Sequence, residues 1–147
     1  MDNIKSENSN FNEISKQSDN NIVLPSILLV EDDTINAMVI QRFLSKNFNV
    51  DVASKSSQSI EMAEANNYSL FLLDINLGRG MNGIDVLIEI RKMPKYANTP
   101  IIASTAYTMK GDKERLLQAG FDDYISKPYT MHEIILKVQQ YIKNNSE

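Results

Sequence analysis

The stretch Ile27-Leu28-Leu29-Val30-Glu31-Asp32-Asp33 decides the fold: an unbroken apolar run that ends in three acids. The same form recurs downstream. Leu70-Phe71-Leu72-Leu73 ends in Asp74, Ile101-Ile102-Ala103-Ser104 ends in Thr105, and Asp123-Tyr124-Ile125-Ser126 ends in Lys127-Pro128. Near-continuous apolar runs mark strands buried on both faces, as in a parallel sheet covered by helices. The pattern predicts strands at 26–31, 50–53, 69–74, 100–104 and 122–126, and helices at 34–47, 56–66, 83–92, 110–119 and 130–143. Helix 34–47 carries Ile35, Met38, Val39, Arg42 and Phe43 at helical spacing, and helix 56–66 carries Ile60, Ala63 and Glu64. Val86, Leu87 and Ile90 face inward on the third helix, and Ile134, Ile135, Val138 and Ile142 form the stripe of the last. Gly120 is placed to cap the end of the fourth.

Strands alternating with helices give a doubly wound α/β fold with a five-stranded parallel sheet and helices on both faces. Asp51 alternates with valines, so strand 50–53 reads as an edge. The order 2-1-3-4-5 satisfies right-handed crossovers and sets the ends of the first and third strands side by side. Residues 1–22 are rich in Asn, Ser, Lys and Glu and poor in large apolar groups, so they are expected to be a disordered tail preceding one domain over 23–147. Ile4, Phe11 and Ile14 are a weak apolar set within it, suited to touching a partner.

The chain of 147 residues is 42% hydrophobic and 23% charged, ordinary values for a globular domain large enough to bury a core. It has no cysteine, which excludes disulfides and thiolate metal sites. No apolar run approaches the ~20 residues of a membrane span, and Met1-Asp2-Asn3-Ile4-Lys5-Ser6 lacks the regions of a signal peptide. A cytoplasmic protein is the simplest expectation. A net charge of −4 without a basic stripe argues against nucleic acid.

In an open parallel sheet, ligands bind outside the carboxyl ends of the strands. Glu31, Asp32 and Asp74 should therefore meet Thr105 and Lys127 in one pocket. Clustered carboxylates repel and call for a cation, and Mg²⁺ suits carboxylate oxygens combined with phosphate. Asp74 ends the most apolar strand and is the candidate nucleophile, forming an aspartyl phosphate. Lys127 neutralises phosphoryl charge, and Thr105 offers a hydroxyl. Taken singly, Thr105 also suits a turn after the fourth strand, and Lys127 a solvated surface. A cis Lys127–Pro128 bond would turn the chain and aim Lys127 back over the strand ends.

Together these residues resemble the receiver domain of response regulators in two-component signalling, a flavodoxin-like fold. The likeness spans residues 26–144. It is carried by Leu29-Val30-Glu31-Asp32-Asp33, Leu72-Leu73-Asp74-Ile75-Asn76, Ser104-Thr105-Ala106 and Asp123-Tyr124-Ile125-Ser126-Lys127-Pro128. The resemblance implies that Glu31 and Asp32 are the metal-site acids, that Asp74 accepts the phosphoryl group, and that the Asn76 backbone carbonyl ligates Mg²⁺. It implies that Thr105 and Lys127 sense the phosphate and that Tyr124 holds the aromatic switch position. Phosphate would draw Thr105 inward, and Tyr124 would fill the space vacated. The implied partners are a histidine kinase or a histidine phosphotransfer protein, and a downstream protein target. Thr105-Ala106-Tyr107-Thr108-Met109-Lys110-Gly111-Asp112 is similar to receivers attached to hybrid histidine kinases and to stand-alone relatives of them.

One segment departs from the family: Leu77-Gly78-Arg79-Gly80-Met81-Asn82-Gly83 has glycine where proline is usual and is one residue longer. Two other functions fit less well. A phosphatase with an aspartate nucleophile commonly carries a second acid two residues on, where this chain has Asn76. A flavin mononucleotide binder needs a phosphate loop rich in hydroxyls and glycine, whereas Glu31-Asp32-Asp33 would repel phosphate. The complete residue set also argues against a pseudo-receiver scaffold. His132, the single histidine, is expected at the surface, and Met109 and Met131 are expected to pack. Tyr107, two residues after Thr105, is expected to shield the pocket from water. Asn76 is a poor general base for activating that water, and both features point to a long-lived phosphoryl group.

Overall fold

The computed structural model describes residues 23–78, 81–106 and 109–146. The tail expected at 1–22 and the shielding role expected of Tyr107 lie outside the described residues. The elements are β1 (Ser26–Val30), α1 (Thr34–Leu44), β2 (Asn49–Ala53), α2 (Ser56–Ala65), β3 (Leu70–Asp74), α3 (Gly83–Arg91), a 3₁₀ turn at Pro94–Tyr96, β4 (Ile101–Thr105), α4 (Asp112–Ala119), β5 (Asp123–Ser126) and α5 (Met131–Ser146). All strand pairs are parallel, in the order β2-β1-β3-β4-β5. β2 lies at an edge, as Asp51 implied. No helix among the described residues is long and apolar enough to cross a membrane.

Alternation along the central strands sends side chains into two separate cores. Leu28, Val30, Phe71, Leu73, Ile101 and Ala103 meet Ala63 of α2, Val86, Leu87 and Ile90 of α3, and Leu116 of α4. Ile27, Leu29, Leu70, Leu72 and Ile102 meet Ala37, Ile40 and Leu44 of α1 and Ile134 and Val138 of α5. Each large aliphatic or aromatic side chain so buried is worth about 1.5–3 kcal/mol. Phe71 also meets Tyr96 edge-to-face, with ring centroids 4.8 Å apart.

The helix starts are set by side chains. Asp33 caps α1 by accepting from the Asn36 N–H at 3.0 Å. Asn82 and Asp85 form a reciprocal capping box at α3. Gly120, at φ +120°, ends α4 in a conformation that costs other residues strain.

Three expectations change. The set Ile35, Met38, Val39 and Phe43 on α1 faces solvent, with Ile35 75% and Met38 62% exposed, while Ala37, Ile40 and Leu44 pack inward. Both faces of α1 are apolar, so helical spacing alone marks two stripes, and the larger residues lie on the outer one. On α2 the buried residues are Ser59 and Ala63, and Glu64 is exposed. Met109 is 77% exposed rather than packed, because it lies on the loop before α4 and not on a helix face. Met131 does pack against the α1–α5 core, and His132 is exposed on the first turn of α5.

Candidate functional site

The register builds the site. Val30 pairs with Leu73, so the residues that follow them, Glu31 and Asp74, stand side by side. Asp74 pairs with Ser104 and Thr105 with Ser126, which brings the ends of β4 and β5 into the same row. β4 runs one residue further than the sequence pattern indicated, so Thr105 is held on the strand. The backbone N–H of Lys127 donates to the Thr105 carbonyl at 2.7 Å, fixing the last step of the row.

Glu31, Asp32 and Asp74 each offer a carboxylate oxygen, and these oxygens lie within 4.8 Å of one another. Glu31 is 2% exposed, Asp74 4% and Thr105 1%, whereas Asp32 faces solvent. The Lys127–Pro128 bond is cis. The Lys127 ammonium lies 3.1 Å from Asp74 Oδ2 and 3.6 Å from Glu31 Oε1. Asp74 Oδ1 accepts from the Asn76 N–H at 3.0 Å. Each Asp74 oxygen thus has one donor, which holds the carboxylate at a defined angle at the strand end.

The electrostatics follow from this crowding. Burial, followed by the Asp74 carboxylate, pushes the Glu31 carboxyl up to about 7, against the pull of Lys127 and Asn36. For Lys127, burial works to lower the ammonium's pKa, but the Asp74 and Glu31 charges outweigh it and the net change is upward. Three carboxylates facing one ammonium leave an excess negative charge that a divalent cation cancels. Glu31 Oε2 is buried with no hydrogen-bond partner among the described residues, so one oxygen of the cluster keeps an unused acceptor capacity that a cation would meet. The donor set, all hard oxygens in a cleft open to solvent at Asp32, fits Mg²⁺.

Every residue singled out in the sequence as part of one pocket is brought to this end of the sheet. Asn76 is exposed on the loop that follows β3, beside the acids. Tyr124 sits half-buried on β5 against the core that holds α3 and α4, with the Lys113 ammonium 6.0 Å from its ring centroid. Three further residues shape the site. The Asn36 side chain donates to Glu31 Oε1. Gly78 adopts φ +71°, and a Cβ there would lie 3.1 Å from Asp32 Oδ2. Gly83 opens α3 directly against the backbone of Asp74 and Ile75. The glycines carried a signal in the departure of the 77–83 segment. Asn36 carried only its place three residues after a capping acid.

Comparison with known proteins agrees with this arrangement. A family model for the response regulator receiver domain matches residues 27–139. The aerobic respiration control sensor protein ArcB of Escherichia coli is 37% identical over 118 residues, covering 79% of this chain and 15% of that protein. Hybrid signal transduction histidine kinase I of Dictyostelium discoideum is 32% identical over 140 residues, covering 87% of this chain and 8% of that protein. The chain therefore spans a small part of these two relatives. Among solved structures, the receiver domain of sensor histidine kinase PA1611 from Pseudomonas aeruginosa superimposes with a TM-score of 0.74 at 34% identity, covering 82% of this chain and 99% of that one. That structure holds a magnesium ion in its active-site cleft.

Proposed function

The chain belongs to the response-regulator receiver family, and from that premise we propose that Asp74 accepts a phosphoryl group from a phosphohistidine. The observation that carries this is the meeting of Lys127 with both Asp74 and Glu31 at the ends of three different strands. A buried nucleophile, a paired cation and a hard-oxygen cluster are what phosphoryl transfer needs from a protein: positioning and charge.

An Asp74 carboxylate oxygen attacks the phosphorus. The bond from phosphorus to the donor imidazole nitrogen breaks, its electron pair stays on that nitrogen, and an acyl phosphate remains on Asp74. Lys127 turns from the carboxylate oxygen to a phosphoryl oxygen and offsets the charge delivered there. The Thr105 hydroxyl, buried at the end of β4, donates to another. Glu31, Asp32, Asp74 and the Asn76 carbonyl are the groups that would hold Mg²⁺. When bound, the ion supplies positive charge to the phosphoryl oxygens. Asn76, neutral and beside Asp74, does not activate water, which favours a long-lived phosphoryl group.

The donor must bring phosphorus to bonding distance of Asp74, so its docking face adjoins the acids. α1 starts immediately after Asp33 and presents Ile35, Met38, Val39 and Phe43 outward around a groove of about 320 Å³. That apolar face suits a helix of a histidine kinase or a histidine phosphotransfer protein. On the output side, Thr105 moves toward the phosphoryl group and Tyr124 follows into the space. This shift changes the surface of α4, β5 and α5 that a protein target reads. The protein is a phosphoacceptor in signalling whose chemistry acts on itself, not on a separate substrate.

Intact-mass spectrometry after treatment with acetyl phosphate and Mg²⁺ tests the assignment. The native protein should gain one phosphoryl group, and Asp74→Asn, which keeps the shape without the nucleophilic oxygen, should gain none. Full labelling of the variant would place the acceptor elsewhere.

A further inference from the structure

Asn36 has no part in the transfer chemistry, yet its side chain is tied to the deepest acid of the site. We propose that Asn36 is a positioning residue: its carboxamide holds one oxygen of Glu31 and so presents the other, Oε2, to the cation and its water shell. The inference rests on the metal-site assignment made above and extends it to a residue outside the ligand set.

Glu31 is almost fully enclosed, and its two oxygens have different surroundings. Oε1 accepts from Asn36 Nδ2 and lies 3.6 Å from the Lys127 ammonium. Oε2 is buried and has no hydrogen-bond partner among the described residues. A buried carboxylate oxygen that no donor reaches, on an acid already crowded by the Asp74 carboxylate, is costly, so this atom marks the side from which a cation would relieve it. A glutamate side chain has enough rotors to exchange its oxygens or swing away. The Asn36 hydrogen bond, rooted in a helix, opposes that, while Lys127 attracts Oε1 only as a charge at 3.6 Å.

The rooting can be traced. Asp33 accepts from the backbone N–H of Asn36 at 3.0 Å, which makes Asn36 the third residue of α1. Side chains at that position point back toward the helix start. In a capping box the third residue reaches the backbone N–H of the cap itself. Here the amide reaches past the cap to the acid at the end of β1. Asp33 thus sets Asn36, and Asn36 sets Glu31. The carboxylate only accepts, so the amide nitrogen is the end that faces it. Groups that orient a metal-ligating side chain typically change metal affinity 10–100-fold when removed.

The test is a calorimetric Mg²⁺ titration of the native protein, Asn36→Ala, Asn36→Leu, Glu31→Gln and the double variant Asn36→Ala/Glu31→Gln. Thermal melting of each in EDTA runs in parallel. Asn36→Ala should bind Mg²⁺ about 10-fold or more weakly. Asn36→Leu, which keeps the volume and favours helix, should do the same and carries the test if the alanine variant melts early. In the Glu31→Gln background the Asn36 substitution should have no further effect, because it acts through that carboxylate. A merely structural asparagine would lower melting and leave the two losses additive. Native affinity in a folded Asn36 variant, or additive losses, overturns the inference and leaves the metal site standing. Absence of Mg²⁺ binding by the native protein removes both.

Discussion

Gly83→Ala, the addition of one methyl group, should both destabilise the fold and slow phosphorylation. A Cβ at Gly83 would lie 2.6 Å from the Asp74 carbonyl oxygen and 2.9 Å from Ile75 Cα, where ordinary contact begins at 3.4 Å. Both obstacles are backbone, so about 0.8 Å must open between α3 and the end of β3. The Gly83 N–H to Ile75 carbonyl bond, now 3.0 Å, stretches with it. Overpacking of this kind costs about 1–3 kcal/mol. The lower chain entropy of alanine in the unfolded state returns about 0.4–1 kcal/mol. Taking the middle of each range leaves a net loss of about 1.3 kcal/mol, a fall in Tm of roughly 3–8 °C for a domain of this size. The chemical effect should be larger, since the carbonyl that moves belongs to the nucleophile itself. A displacement near 1 Å costs up to about 100-fold in rate. Phosphorylation by acetyl phosphate, followed by intact mass at fixed Mg²⁺, measures it. Gly111→Ala is the control. Its φ of +97° makes alanine strained, but nothing lies within 4 Å of the added atom. That variant should lose about 1–2 kcal/mol of stability and keep its rate. Native stability and native rate in Gly83→Ala would refute the clash, and equal slowing in both variants would refute its local nature.

If Asp32 ligates the ion as proposed, Asp32→Asn should weaken Mg²⁺ binding at least about 10-fold by calorimetry, because an anionic oxygen is replaced by a neutral amide oxygen. The same change should leave folding in EDTA unharmed, as it relieves repulsion with Glu31 and Asp74. The metal-free protein should lose stability as pH rises. Glu31 titrates near 4.5 when unfolded and near 7 when folded, so between these values the native state binds more protons than the unfolded state. Urea denaturation at pH 5 and pH 7.5 should show a loss on the order of 1–3 kcal/mol. Glu31→Gln should flatten the profile, and an equal slope in that variant would assign the effect to other groups.

The strand order and the composition of the site were legible because each rests on a local rule. Apolar runs bounded by acids, a hydroxyl and an amine place strands and their exits, and a parallel sheet gathers the exits at one end. The buried face of α1 was not legible. Ala37, Ile40 and Leu44 compete with Ile35, Met38, Val39 and Phe43, and helical spacing is satisfied by both. Only the position of the sheet decides between them. Asn36 was equally hidden, since its partner lies five residues back across a helix start, a relation that no periodicity reports. The clash that requires glycine at position 83 depends on how closely α3 approaches β3, which is a tertiary distance.

The two cores have a consequence for how such a protein diversifies. One contains the inner faces of α1 and α5, the other those of α2, α3 and α4, and the strands of the sheet stand between them. Substitutions that repack one layer meet few side chains of the other, so their effects should add. After duplication, a copy can therefore drift in the layer under α1 and α5 without loosening the layer that Tyr124 packs against, and the reverse holds as well. Only the row of residues at the strand exits belongs to both lineages of change. The two faces of the sheet become separately variable, joined at a handful of atoms.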